Sequence, residues 1–320
     1  MKLDKNLKIV LNFSYLLLFL LFLFTDCNSD NNSHKKFAKS FKTDQDSLET
    51  HWNNKYSDQI DKWFKNLCNT TRFNGNIIVA KDGEVIYQNY FGYSNYGRKD
   101  TLSLKSSFQI ASVSKTFTSM AILILKERGL LQYNDDVKKY IPGFPYHGIT
   151  IRQLLSHRSG MPNYNYFCDQ YTDRETIIYN KDVVKLMVDS IPLPYYQPDI
   201  RFDYCNTNYV LLASIVENVS GKNFVDFMRE EIFKKAGMKS THIFINGKQD
   251  RIYQAATGYH FKWTVALPTY QDGVYGDKGV FTTVEDLWRW NLALENNILV
   301  AEKTLYEAFV PQSLEKKGDE

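Results

Sequence analysis

Phe108-Gln109-Ile110-Ala111-Ser112-Val113-Ser114-Lys115 sets a serine and a lysine three positions apart at the head of a predicted helix. Residues three apart share one helix face, so the Ser112 hydroxyl and the Lys115 amine can come within hydrogen-bond reach. A serine hydroxyl is a poor nucleophile until a neighbouring base takes its proton, and a desolvated lysine with a lowered pKa can be that base. The helix N-terminus adds unpaired backbone N–H groups able to hold a developing oxyanion. Ser112 is therefore the candidate nucleophile and Lys115 its candidate activating partner. Ser114, adjacent to Lys115, points to a different face.

The same spacing recurs at Ser33 to Lys36 in a polar stretch and at Ser313 to Lys316 in the tail. In isolation such a pair reads first as a serine N-cap followed by a solvated lysine. Context separates the three. Only Ser112 leads into a long apolar helix, with Phe117, Met120, Ala121, Ile124 and Leu125 at helical spacing and Gly129 as its stop signal. Lys115 falls beside that apolar stripe, where burial can act on it.

The chain has 320 residues, 43% of them hydrophobic, enough for one large domain or two with a sizeable core. Its net charge of +3, with both signs mixed, carries no nucleic-acid footprint. The N-terminus reads as an export signal. Lys2, Lys5 and Lys8 precede an apolar run from Ile9 to Phe24, shorter than the roughly 20 residues of a membrane span and matching a signal-peptide core. Cys27 follows directly and resembles a bacterial lipoprotein cleavage site, although Asp26 departs from the small residue that pattern prefers. Two readings stay open, a lipidated Cys27 and an uncleaved anchor; both attach the chain to a membrane and place the folded part outside the cytoplasm, periplasmic or at the cell surface. Cys68, Cys168 and Cys205 remain, of which two could pair. No Cys-x-x-Cys occurs and the six histidines lack metal-ligand spacing, so neither a metal nor a cofactor is expected.

Three segments follow: residues 1–27 as signal and lipidation site, 28–46 as a polar tether, and 47–320 as the folded domain. Trp52, Tyr56, Ile60, Trp63, Phe64 and Leu67 predict a helix over about 48–67. Asn76 to Ala80 and Glu84 to Tyr87, joined through Asp82-Gly83, predict a β-hairpin. From the Ser112 helix to about Ser240 the pattern is mostly helical. It includes a short helix over Ile151 to His157, a turn at Ser159-Gly160-Met161-Pro162, and a helix from Tyr209 to Val219 stopped at Gly221. The fold class is α+β, an antiparallel sheet with a helical insertion.

Tyr204-Cys205-Asn206 is the second candidate site, in a polar loop just before a helix. A phenol near a cationic lysine can have its pKa pulled down and act as a proton shuttle. The alternative is that the Tyr204 ring packs and Asn206 caps the helix. Tyr87 to Asn89 and Tyr93 to Asn95 match the same short pattern.

Four blocks in order resemble the serine β-lactamase and penicillin-binding-protein superfamily, in the branch of class C β-lactamases, D-alanyl-D-alanine carboxypeptidases and related esterases. They are Phe108 to Lys115, Thr150 to Pro162, Phe202 to Gly221 and Gly276 to Leu287. The resemblance implies a β-lactamase/transpeptidase-like fold, an antiparallel sheet flanked by helices with a helical subdomain. It implies Ser112 as the acylated nucleophile, Lys115 as its activator, Tyr204 as the proton shuttle, and Asn206 bonding both the substrate amide and Lys115. The substrate would be a small molecule or peptide with a peptide, ester or β-lactam carbonyl, and these residues do not choose among them.

One motif of that family has no counterpart: a strand bearing Lys-Thr-Gly or His-x-Gly after the last block. Lys316-Lys317-Gly318 copies the letters in a charged tail without a strand pattern. The expectation is a chain that lacks C-terminal strands, a fragment or truncated product of an active enzyme, itself nearly inactive and poorly stable. A catalytically dead remnant serving at most as a binding module is the alternative.

Overall fold

Asp82 and Gly83 both take positive φ, 51° and 78°, the pairing that a two-residue turn of the primed type demands. Around this turn the computed structural model, which describes residues 56–71, 73–247 and 254–312, folds β1 (Gly75–Lys81) against β2 (Glu84–Phe91). The register runs from Gly75 opposite Phe91 to Lys81 opposite Glu84, with one irregularity between Val79 and Ala80. Helix α1 (Ser57–Thr71) packs on β2, where Phe64 stacks on Tyr87 at 5.9 Å and Asp61 accepts from the Tyr87 hydroxyl at 3.0 Å. The described part of α1 ends at Thr71, four residues beyond the predicted Leu67.

A second hairpin joins β3 (Tyr93–Asn95) to β4 (Asp100–Thr101). The third sheet is antiparallel and its strands come from far apart: β5 (Phe108–Gln109), β6 (His242–Ile243) and β7 (Val280–Thr282), in the order β5-β7-β6. Between β5 and β6 lies the helical part. It comprises α2 (Ser114–Glu127), α3 (Ile151–Leu155), α4 (Tyr164–Tyr171), α5 (Asn180–Ser190), α6 (Asn206–Ser220) and α7 (Phe224–Met228). Then α8 (Val284–Glu295) packs on β1, and α9 (Glu302–Phe309) on α2. The hairpin is thus flanked by helices, an α+β arrangement.

Two helices form the centre. In α2 the run from Phe117 to Leu125 is buried apart from Ser119, and in α6 every residue from Thr207 to Val216 is buried. A helix apolar on all sides has to be enclosed by neighbours, and α6 is touched by α2, α3, α4, α5 and α7. It ends at Gly221 in the left-handed conformation, the glycine C-cap that its stop signal predicts. Helix α3 begins with a complete capping box, Thr150 with Gln153. At the start of α8, the fully buried Asp286 accepts from Ser240 N at 2.7 Å and Thr241 Oγ1 at 2.8 Å, fixing the entry to β6.

The loop before β7 is pressed onto both central helices. Thr118 Oγ1 donates to the Gly276 carbonyl at 2.7 Å, and Ser114 Oγ accepts from Val280 N at 3.2 Å. Gly276 has φ +99°, and a Cβ there would meet the Tyr209 carbonyl oxygen at 2.5 Å and Ala213 Cβ at 2.6 Å. Only glycine allows so close an approach at that backbone angle. Cys68, Cys168 and Cys205 are all free thiols. Cys27, both other Ser-x-x-Lys pairs and Lys316-Lys317-Gly318 lie outside the described residues.

Gly276→Ala combines an unfavourable φ with a backbone clash, so it should destabilise the fold by about 2–4 kcal/mol. Urea unfolding followed by tryptophan fluorescence measures this, and a loss below about 1 kcal/mol would contradict the packing described.

Candidate active site

Ala111 sits at φ 44° between β5 and the helix, and this tight bend turns the chain into a short 3-10 turn, Ala111–Val113, ahead of α2. Ser112 is therefore in the turn and not in the α-helix proper. It stays exposed, whereas Lys115, one turn on, is only 6% exposed. Lys115 Nζ donates to Ser112 Oγ at 3.2 Å and to the Asp277 carbonyl oxygen at 2.9 Å. The predicted pair is brought together, and the block around Gly276 supplies the second anchor.

Asp277 also places its carboxyl inside. Tyr164 donates its hydroxyl to Asp277 Oδ2 at 2.9 Å, while Oδ1 is buried without a partner among the described residues. Burial pushes this carboxyl up from its ordinary pKa, against the opposing pull of the Lys115 and Lys278 charges and the Tyr164 hydrogen bond.

Tyr204 is 45% exposed, with its ring 5.0 Å from Lys115 Nζ. The Tyr209 ring stands 5.6 Å from the same nitrogen. Asn206 opens α6, but the N-cap position belongs to Cys205, so the capping reading of Asn206 does not hold. The expected bond between Asn206 and Lys115 is also not formed among the described residues. Asn206 Nδ2 donates instead to Asn165 Oδ1 at 2.7 Å, because α4 lies alongside the start of α6.

His157 was legible only as part of a block, and the structure gives it a place. It lies directly after α3 at φ 55°, and its ring rests against Tyr204 at 4.5 Å, Tyr209 at 5.2 Å and Phe202 at 5.8 Å. Asn208 Oδ1 is occupied by the Ser159 hydroxyl at 2.6 Å, which leaves Asn208 Nδ2 facing His157 Nδ1 at 3.3 Å. Cys205 N donates to the same Nδ1 at 3.1 Å. Two donors on Nδ1 require a neutral ring with its proton on Nε2. The backbone joins in, since Asp203 N donates to the His157 carbonyl at 2.8 Å. The loop carrying Tyr204 is thus fastened to His157 at both ends. No sequence spacing announces this, since His157 and Cys205 are 48 residues apart.

Burial, aided by the Lys115 charge, pushes the His157 pKa down to about 4 from an ordinary 6.5. An unfolded chain therefore binds more protons than the folded one between those values. Stability carried by neutral His157 is complete above pH 6.5 and lost as pH falls toward 4, by up to about 3 kcal/mol. Urea unfolding of wild type and His157→Gln between pH 7.5 and 4.5 measures this: the acid loss should be steeper in wild type, and parallel curves would refute it.

The family model described as Beta-lactamase matches residues 60–320. Penicillin-binding protein 4* of Bacillus subtilis is 36% identical over 264 residues, 78% of this chain and 58% of that protein. Protein flp of Staphylococcus aureus is 30% identical over 252 residues, 75% of this chain and 49% of that one. The chain therefore spans about half the length of the curated relatives it matches. Among solved structures, a penicillin binding protein from Bacillus halodurans superposes with a TM-score of 0.67 at 24% identity, covering 83% of this chain and 79% of that one. D-amino acid amidase from Ochrobactrum anthropi gives 0.66 at 23%, covering 78% and 74%. The chain belongs to the beta-lactamase family, part of the serine β-lactamase and penicillin-binding-protein-like superfamily.

Proposed function

We propose that this protein is a serine hydrolase that works through an acyl-enzyme. The observation that carries the reading is the 3.2 Å contact between buried Lys115 Nζ and exposed Ser112 Oγ. Only the serine faces the solvent side, so a carbonyl substrate meets the oxygen while the amine behind it receives the proton. Ser112 Oγ attacks the carbonyl carbon and its proton passes to Lys115. The oxyanion forms beside the Ser112 backbone N–H at the N-terminal end of its helical turn, where such groups point outward. The carbonyl-to-leaving-group bond then breaks as Tyr204 relays the proton held by Lys115 to the departing atom; water attacks the ester in turn, and the proton it loses returns through Tyr204 and Lys115 to the departing Ser112 Oγ.

Tyr204 suits the shuttle role by position, half in solvent and half over Lys115. Asn206 is the candidate contact to a substrate amide. Peptide, ester and β-lactam carbonyls all meet these requirements, and the names of the relatives make a penicillin the first probe to try. Export through the N-terminal signal, with Cys27 lipidated, belongs to the same reading; metabolic palmitate labelling that survives Cys27→Ala would overturn it.

A fluorescent penicillin or fluorophosphonate should label the chain at Ser112, as located by peptide mapping. Label on Ser114, or label persisting in Ser112→Ala, would refute the assignment. Absence of any Ser112-dependent label would favour a binding role instead. Lys115→Ala and Tyr204→Phe should slow acylation or deacylation by roughly 100- to 10,000-fold, with binding far less affected. Near-wild-type turnover in Tyr204→Phe would remove the shuttle role.

A further inference from the structure

Asn206 belongs to a chain of three side-chain amides, and its far end is tied to groups that cannot reverse. Gln271 Nε2 donates to the Asn165 backbone carbonyl at 3.2 Å and to the Tyr270 hydroxyl oxygen at 2.8 Å. The carbonyl can only accept. Tyr270 already donates its proton to the Asp169 carboxylate, so its oxygen is an acceptor too. Gln271 is therefore held in one of its two flip states, with Oε1 turned to Asn165. Asn165 Nδ2 donates to that oxygen at 2.8 Å, and Asn165 Oδ1 accepts from Asn206 Nδ2 at 2.7 Å. Each amide sets the polarity of the next.

The near end is the informative one. One N–H of Asn206 Nδ2 is committed to Asn165, and Oδ1 is buried without a partner among the described residues. Lys115 holds the complement: an ammonium has three N–H donors, and Lys115 uses two, on Ser112 and Asp277. Asn206 and Tyr209 are three apart on α6 and share a face, and the Tyr209 ring is 5.6 Å from Lys115 Nζ.

We propose that Gln271 and Asn165 are positioning residues that lock the Asn206 amide with its oxygen, never its NH2, toward Lys115. The lock gives Lys115 an acceptor once it has taken the Ser112 proton. The opposite flip state would set an NH2 group against an ammonium. The proposal rests on the acyl-enzyme reading for its consequence, but the lock itself can be read without any turnover.

Gln271→Met removes both the anchor and the acceptor for Asn165 while keeping the length of the side chain. In wild type, selectively labelled for NMR, the Asn206 side-chain NH2 should exchange slowly with solvent. In Gln271→Met that protection should fall at least tenfold, acylation of Ser112 should slow about tenfold, and the melting temperature should change little. Gln271→Glu guards against a folding failure and serves as the rescue. Protonated, it keeps the acceptor for Asn165 and one of the two donor bonds, so its acylation, taken relative to wild type at the same pH, should be nearest normal in acid and fall as pH rises. Protection unchanged in Gln271→Met, or acylation unchanged when protection is lost, would overturn the positioning role. A wild type that never acylates at Ser112 would refute the hydrolase reading, and the exchange data would still decide the lock.

Discussion

Lys115 takes a polar head group into the interior, where it meets Ser112 Oγ, the Asp277 carbonyl and the faces of two tyrosines. A group of that kind left unpartnered in an apolar core costs several kcal/mol, so the surroundings have to be built to receive it. Much of the local architecture answers this demand. Gly276 lets a loop lie directly on α6, which delivers the Asp277 carbonyl, and Thr118 holds the neighbouring carbonyl one turn further along α2. The β5-β7 pairing secures the other side of the same loop. Burying one amine thus fixes the mutual position of α2, α6 and β7.

The groups around the candidate site divide by what they can do once the loop is docked. Ser112 is kept outside by the bend at Ala111, and Tyr204 is kept half outside by its seat on His157. Lys115, Asp277 and the carbonyl end of Asn206 are inside. The face open to solvent thus carries one hydroxyl and one phenol, while Lys115, Asp277 and the Asn206 carbonyl behind them are screened from water.

What the sequence made legible is what depends on near neighbours. The Asp82-Gly83 turn, the short helix at Ile151, the Gly221 C-cap and the Ser112–Lys115 pair each need only a few consecutive residues, and all form as read. Four blocks in order were enough to give the fold class. The β5-β7-β6 sheet was not legible, because its strands are two or three residues long and its partners lie far apart in the chain. His157, Asp277, Asn165 and Gln271 escaped for the same reason, since each acquires its meaning from a residue at least 41 positions away. Asn206 shows the opposite error. Local pattern suggested a helix cap, but an amide on another helix claims its side chain.

The bonds from Lys115 to Asp277 and from Thr118 to Gly276 close loops of 162 and 158 residues. Loops of that size carry a large closure entropy before any contact compensates for it, and topologies built on them fold slowly. Until the 276–279 segment arrives, α2 has a finished apolar stripe, but Lys115 and Thr118 lack the carbonyls to which they donate in the folded chain. Helix formation can run ahead; the docking of α2 against α6 cannot be completed without the late segment. The late docking step is thus the one that completes the site, by bringing the Asp277 carbonyl to a Ser112–Lys115 pair that local structure already places together.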